Sequence, residues 1–523
     1  MKLQWIDLTT LVIYLLCVLS IGMYFSRRNK STEDYFLGGR QFAGWVIGFS
    51  LVGTSISSVT FLAYPADAFK TAWLRYLPNL MLPLTAIIAV AVFIPIYRRY
   101  SLTTAYEYLE LRYGPGVRVY GAITFIFAQL VRISTILYLL SLLIQEVSGL
   151  DSIWSVFIAG GFVAIYTTIG GIEAVIWTDV MQTIVLVLGS VIMLVVIVQL
   201  LPGGLGQIFS VALEHDKLSF ADWSRGESIP LAWNLSLLNK TGTMMLILGL
   251  TNWLTEYATN QNVIQRYVAA RSEHEARKAV WFCVLSSLPI WAFYMFLGTA
   301  LYVFYVQFPS VETAQMLDGT RKAEEILPWF ILREMPVGLT GIVIAAALAA
   351  AMSSLDSSIN AISTVGINDI YRRFLRPSAG DKHYLKVAYG ISAVSSMLMI
   401  AGAIYILRAE TQTLQDYGTI LVSLFGGGLL GLFVIAFITD KCGGLIPWVG
   451  IAATLLFTGW TIAVSNGWLD VTPPFDLYYT TIIANVVMVA GILLALLGRK
   501  VLRKAELMSS FGANNHPDGN TEK

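Results

Sequence analysis

One stretch near residue 350 has the residue types and spacing to hold a hard cation. In Ala349-Ala350-Ala351-Met352-Ser353-Ser354-Leu355-Asp356-Ser357-Ser358-Ile359-Asn360, the positions Ala350, Ser353, Ser354 and Ser357 follow i, i+3, i+4, i+7 spacing and share one helix face. A hard cation such as sodium takes oxygen ligands: hydroxyls, carbonyls of unwound backbone and an occasional carboxylate. Asp356 lies in the same stretch, and a carboxylate inside an apolar span is costly and usually functional. The competing reading is a seam of small residues that lets helices pack closely. Gly53-Thr54-Ser55-Ile56-Ser57-Ser58-Val59-Thr60 places a glycine and five hydroxyls in another apolar run. A third polar stretch holds Gly249, Thr251, Asn252, Thr255, Glu256, Thr259, Asn260 and Gln261. Asp179, after Gly170-Gly171 and Trp177-Thr178, reads either as an ion-linked group or as a helix N-cap. Arg132 is the one basic residue expected deep in an apolar run. Its guanidinium suits a two-pronged grip on a carboxylate, or a structural pair with Glu256 or Asp356. No Walker loop, G-x-S-x-G or intramembrane histidine pair accompanies these residues, so neither an enzyme nor an ATP-driven pump is indicated.

The elements that must position these groups are membrane helices. The 523 residues are 56% hydrophobic and 13% charged, with mean hydropathy +0.68, and a soluble domain carries about twice that charged fraction. Apolar runs near 20 residues recur, each able to cross about 30 Å of hydrocarbon. Backbone groups in lipid must pair internally, so the spans are helices, and no strand-period alternation points to a barrel. We expect an all-α integral membrane protein with thirteen spans, near 8–26, 43–67, 76–97, 119–147, 154–171, 178–201, 240–261, 279–306, 337–364, 386–407, 416–438, 446–465 and 479–498. Loops containing Arg27, Arg28, Arg98, Arg118, Arg266, Arg271, Arg372 and Arg373 alternate with loops poorer in Lys and Arg. That places the N-terminus outside and the C-terminus in the cytoplasm. Net charge of +1 gives no nucleic-acid footprint. Cys17, Cys283 and Cys442 are too scattered for a disulfide framework or zinc spacing, and the four histidines fall in expected loops or the tail. The second and seventh spans, both rich in glycine and hydroxyls, lie five helices apart and so run in opposite directions. Broken-helix candidates at matching places in two inverted halves are the pattern of a secondary transporter.

With these residues in view, the chain resembles the sodium/solute symporter family over about residues 5–500. The likeness rests on Asp34-Tyr35-Phe36-Leu37-Gly38-Gly39-Arg40, on Thr103-Thr104-Ala105-Tyr106-Glu107-Tyr108-Leu109-Glu110, and on Tyr166 to Gly171 leading to Trp177-Thr178-Asp179. Gln261 to Arg266 and Ser353 to Asp369-Ile370-Tyr371 complete it. The resemblance implies two inverted five-helix repeats of LeuT-like type, with one helix before and two after. The segments are then 1–42 (first helix and cytoplasmic loop), 43–201 (first repeat), 202–239 (external loop), 240–438 (second repeat), 439–504 (two last helices) and 505–523 (disordered cytoplasmic tail).

It further implies a sodium site of the carbonyls of Gly53, Ile56 and Ala350 with the hydroxyls of Ser353 and Ser354. A second sodium site would use Asp179, Ser353, Asp356 and Ser357, where Asp356 stands in place of the serine of the sialic acid carriers. The solute pocket would include Ser55, Ser57, Thr60, Arg75, Asn79 and Arg132, of which Arg75 and Asn79 depart from those carriers. Glu256 and Tyr257, flanking the polar part of the seventh span, would serve an inner gate. The expected function is sodium-coupled import of a small polar solute, a sugar or acidic sugar such as sialic acid, through the cell (inner) membrane. Sodium ions, the solute and the lipid bilayer are then the partners. The alternatives are another organic anion or vitamin as solute, or a non-transporting sensor.

Overall fold

A break in the hydroxyl-rich second span decides where the chain's polar chemistry sits. Residues Gly44–Ser55 form one helix, Ile56 turns to extended backbone (φ −101°, ψ 105°), and helix resumes with a π-helical turn at Val59–Ala63 and Tyr64–Lys70. The two halves meet at 59°. The restart is capped locally, because Val59 N–H donates to Ser57 Oγ (3.2 Å). The first half is capped from another helix, with Gly44 N–H donating to Glu275 Oε2 (2.5 Å). The far half ends on a cation, as Lys217 Nζ donates to the Phe69 and Thr71 carbonyls (2.9 and 2.7 Å). Lys217 lies on the segment after residue 201, and burial pushes its ammonium down to about 7.

The computed structural model describes residues 4–26, 31–224, 227–408, 427–439, 443–465 and 467–513. These are predominantly helical, with one short antiparallel hairpin of Asp222–Ser224 and Glu227–Ile229. Among the described residues nine helices are long and apolar enough to cross a membrane, and ten if the bent pair counts as one span. Ser152–Thr168 and Leu429–Ile438 are shorter apolar helices. The first part of the expected eleventh span, up to residue 426, lies outside the described residues.

The Leu339–Val365 helix is the axis of the bundle, buried along nearly all of its length. It packs along the Ser152–Leu200 helix, and small residues let the two backbones close up. A Cβ on Gly189 would stand 2.5 Å from the Ala346 Cβ, and one on Gly53 would stand 2.7 Å from Thr183 Oγ1. Gly189→Ala is therefore expected to lower stability by about 1–3 kcal/mol, the cost of overpacking a core. Gly161→Ala, with nothing within 4 Å, is the control. Equal melting temperatures for the two variants in detergent would remove the close contact. The outer faces carry Leu188, Val191 and Val195, which are exposed as lipid-facing residues should be.

Several expectations are corrected. The spans 154–171 and 178–201 are two helices that meet at a break on Gly171, whose φ of 67° and ψ of −172° suit only glycine, so the second helix begins well before residue 178. Asp179 therefore stands about two turns inside a helix, and its N-cap reading falls. Arg266, assigned to a cytoplasmic loop, lies on the helix Gln261–Ala269, all of whose residues are buried. Arg118, likewise assigned to a loop, is buried against Asp369 Oδ1 and Glu110 Oε2 (2.6 Å each). Helix Thr480–Ala513 continues through 505–513, where a disordered tail was expected. The run Lys504-Ala505-Glu506-Leu507-Met508 consists of strong helix formers. Residues 514–523 lie outside the described set.

The separated motifs meet in space. Thr104 Oγ1 donates to Asp369 Oδ1 (2.7 Å), and Arg373 Nη2 to Glu110 Oε1 (2.6 Å). Gln261 Nε2 donates to the Thr103 carbonyl (2.9 Å), and Gln265 Nε2 to the Phe36 carbonyl (2.6 Å).

Candidate functional site

The break at Ile56 leaves the last carbonyls of the Gly44–Ser55 helix without helical partners, and the serine face of the Leu339–Val365 helix meets them. Ser353 Oγ donates to the Gly53 carbonyl (2.9 Å) and to the Ala350 carbonyl (3.3 Å). Ser354 Oγ donates to the Thr54 carbonyl (3.2 Å). Gly53, Ile56, Ala350, Ser353 and Ser354 are all buried. Four of the five residues expected to share a sodium site are thus joined at one break, directly or through Thr54; no hydrogen bond places the Ile56 carbonyl among them. Each hydroxyl can rotate its proton away and present a lone pair instead. The donor set is all oxygen, which fits a hard cation.

Beside this cluster the sequence reading missed a buried cation. Arg266 Nη2 lies 2.8 Å from Asp179 Oδ2 and 2.7 Å from Ser357 Oγ. Its Nε donates to Ser50 Oγ (2.7 Å), Ser50 Oγ donates to Asp179 Oδ2 (2.5 Å), and Nη1 donates to the Asn262 carbonyl (2.7 Å). The residues expected to form a second sodium set are therefore held by different partners. Arg266 holds Asp179 and Ser357, while Ser353 faces Gly53 and Ala350. Asp356 accepts from Tyr166 OH (3.0 Å), Thr178 Oγ1 (3.4 Å) and the Ser357 N–H (2.6 Å). Asp179 Oδ1 is buried with no hydrogen-bond partner. Two fully buried carboxyls thus lie near one guanidinium, and buried charges are tolerated only when compensated. The available signal was the polar run Gln261, Asn262, Gln265, Arg266, whose i, i+4 spacing continues helical periodicity past the expected end of the seventh span.

Arg132 reaches the same break. Its Nη2 donates to the Thr54 carbonyl and its Nη1 to Glu256 Oε1, each at 3.4 Å. Of its two expected structural partners, Glu256 is in contact; Asp356 is taken by Tyr166 and Thr178. The other pocket residues do not gather around the guanidinium. Ser55 stands beside the Cys283 thiol, and Ser57 caps the Val59 restart. Thr60 is buried. Arg75 pairs with Asp67, and Asn79 Nδ2 donates to Tyr64 OH (3.0 Å). Glu256 and Tyr257 diverge as well: Tyr257 OH meets Cys283 Sγ at 3.7 Å in the core, away from Arg132.

The model of the sodium:solute symporter family matches residues 35–444. The chain is 32% identical over 459 residues to the sodium/sialic acid symporter SiaT of Proteus mirabilis, covering 86% of this chain and 88% of that protein. It is 30% identical over 459 residues to the sodium/sialic acid symporter NanT of Aliivibrio fischeri, with 87% of each covered. Among solved structures it is similar to a substrate-bound, outward-open Na+-coupled sialic acid symporter, described as revealing a novel Na+ site. The TM-score is 0.84 at 30% identity, over 94% of this chain and 98% of that one.

Proposed function

Because the chain belongs to the sodium:solute symporter family, we propose that it imports an acidic sugar such as sialic acid, driven by sodium. It is a multi-pass membrane transporter whose partners are sodium and an organic solute. The relatives that carry sialic acid in their names support the solute class. One observation carries the coupling. The Thr54 carbonyl accepts both from Ser354 and from Arg132, so the sodium-facing hydroxyl and the solute-facing guanidinium share one backbone oxygen at the helix break.

In this reading Gly53, Ile56, Ala350, Ser353 and Ser354 bind the driving sodium. Arg132 grips the solute carboxylate, and Ser55, Ser57, Thr60, Arg75 and Asn79 line the route around it. Of the set Asp179, Ser353, Asp356 and Ser357, Asp179 and Ser357 hold the Arg266 guanidinium as their resident cation, while Ser353 serves the first sodium and Asp356 is held by Tyr166 and Thr178. Sodium draws Ser353 and Ser354 onto itself, orders the break and frees the Thr54 carbonyl for Arg132. Solute then binds, and rocking of the bundle exposes both to the cytoplasm. Thirteen spans in two inverted five-helix repeats, at 43–201 and 240–438, fit the two breaks at Ile56 and Asn260 in the second and seventh spans. The N-terminus is then outside and the C-terminus inside the cell (inner) membrane.

Arg132→Lys separates solute classes. Lysine keeps the charge and loses the planar fork. Half-saturation by N-acetylneuraminate is expected to rise about tenfold, equivalent to about 1.4 kcal/mol. Its methyl ester and sodium alone should bind nearly as before. Uptake into vesicles with and without a sodium gradient is the assay. A wild-type protein that takes up no carboxylated sugar at millimolar concentration ends the acidic-sugar reading. A wild-type protein that moves no solute from a panel of sugars, organic anions and vitamins points to a sensor.

A further inference from the structure

Arg266 and Arg132 are held very differently. Arg266 and Asp179 are 1% and 0% exposed and meet at 2.8 Å. Arg132 and Glu256 are 26% and 24% exposed and stand 3.4 Å apart. Charge-assisted hydrogen bonds settle at about 2.7–2.9 Å, so the second pair is loose and only partly buried. Glu256 is nevertheless anchored: its Oε2 accepts from Asn260 Nδ2 (2.7 Å), and Asn260 Oδ1 caps the next helix at Asn262 N–H (2.9 Å). One carboxylate oxygen is thus fixed at the second helix break while the other rests lightly on the guanidinium.

We propose that Glu256 is a resident counter-ion of the solute site: it occupies the guanidinium of Arg132 while the carrier is empty and yields it to a carboxylated solute. The proposal rests on the reading of Arg132 as the solute's carboxylate anchor. An arginine inside the bundle needs a compensating anion at every stage of the cycle. Exchanging one carboxylate for another keeps the charge balance as solute enters and leaves. The looseness of the contact is what makes the exchange feasible, and the Asn260 anchor ties the position of Glu256 to the break at which the seventh span bends. Glu256 therefore acts as a competitor that sets affinity and speeds release. A structural strut would instead be short and buried, as Asp179 is against Arg266.

The test compares N-acetylneuraminate with its methyl ester on the full-length protein in proteoliposomes. In Glu256→Gln the competitor is gone, so KM for the acid is expected to fall about tenfold and kcat to fall with it as release slows. KM for the ester should not move. In Glu256→Asp the carboxylate is withdrawn by one methylene and KM for the acid should fall by a smaller factor. A structural role predicts the opposite split, a raised KM with a lowered melting temperature. An unchanged or raised KM for the acid in Glu256→Gln overturns the proposal; if that variant does not fold, an unchanged KM in Glu256→Asp does so. A wild-type protein that binds no carboxylated sugar overturns both this proposal and the reading beneath it, whereas wild-type binding without tightening in the variants overturns this proposal alone.

Discussion

Arg266→Met is expected to lower stability by about 3–5 kcal/mol, the range for removing one partner of a buried ion pair. Methionine fills much of the volume, so the loss comes from charge and hydrogen bonding. Asp179 Oδ2 loses its cation, Ser50 and Ser357 each lose a donor, and the Asn262 carbonyl loses its side-chain donor. Asp356, fully buried nearby with only neutral donors, adds to the uncompensated charge. Two further outcomes separate charge from packing. Sodium chloride should raise the melting temperature of Arg266→Met more than choline chloride does, because a small cation can enter the space beside Asp179. Adding Asp179→Asn should recover part of the loss, a coupling that a double-mutant cycle measures. An Arg266→Met protein that melts with the wild type in detergent would show that the guanidinium compensates nothing.

Ser354→Ala should raise half-saturation by sodium at least tenfold, about 1.4 kcal/mol or more. A ligand hydroxyl lost from a buried site leaves the ion under-coordinated. The variant also frees the Thr54 carbonyl from Ser354, so solute affinity measured at saturating sodium should change much less than sodium affinity. Ser363→Ala is the control. Ser363 is buried on the same helix, but its hydroxyl donates to the Ala388 carbonyl, away from the break. Sodium-dependent uptake with both variants displaced equally would attribute the effect to the helix rather than to the site.

The serine face shows how far one-dimensional reasoning reached. Helical spacing alone put Ala350, Ser353 and Ser354 on one side, and glycine with hydroxyls marked the break at residues 53–60. The structure joins the two through hydroxyl-to-carbonyl contacts of 2.9–3.3 Å. Arg266 shows where it stopped. A basic residue just past an apolar run reads as a loop residue, because hydropathy averages over neighbours and carries no partner. Its burial depends on Asp179, 87 positions away, and on Ser357, 91 positions away. Asp179 was misplaced for a related reason. Gly170-Gly171 reads as the start of a loop running to residue 178, but the break is confined to Gly171 at φ 67° and the next helix begins at once.

The sequence by itself determined that this chain is a helical membrane protein, where its helices lose regularity, and which oxygen-bearing residues lie at those points. These are local properties, set by hydropathy over about twenty residues, by periodicity and by backbone freedom. Only the tertiary structure decided which charge compensates which. Arg266 took Asp179, Arg132 took Glu256, and Asp356 was left with neutral donors. Charge pairing in a bundle is settled by the way helices distant in sequence face one another. In a low-dielectric interior each such choice is worth several kcal/mol, yet it leaves no trace in the spacing of residues along any one helix.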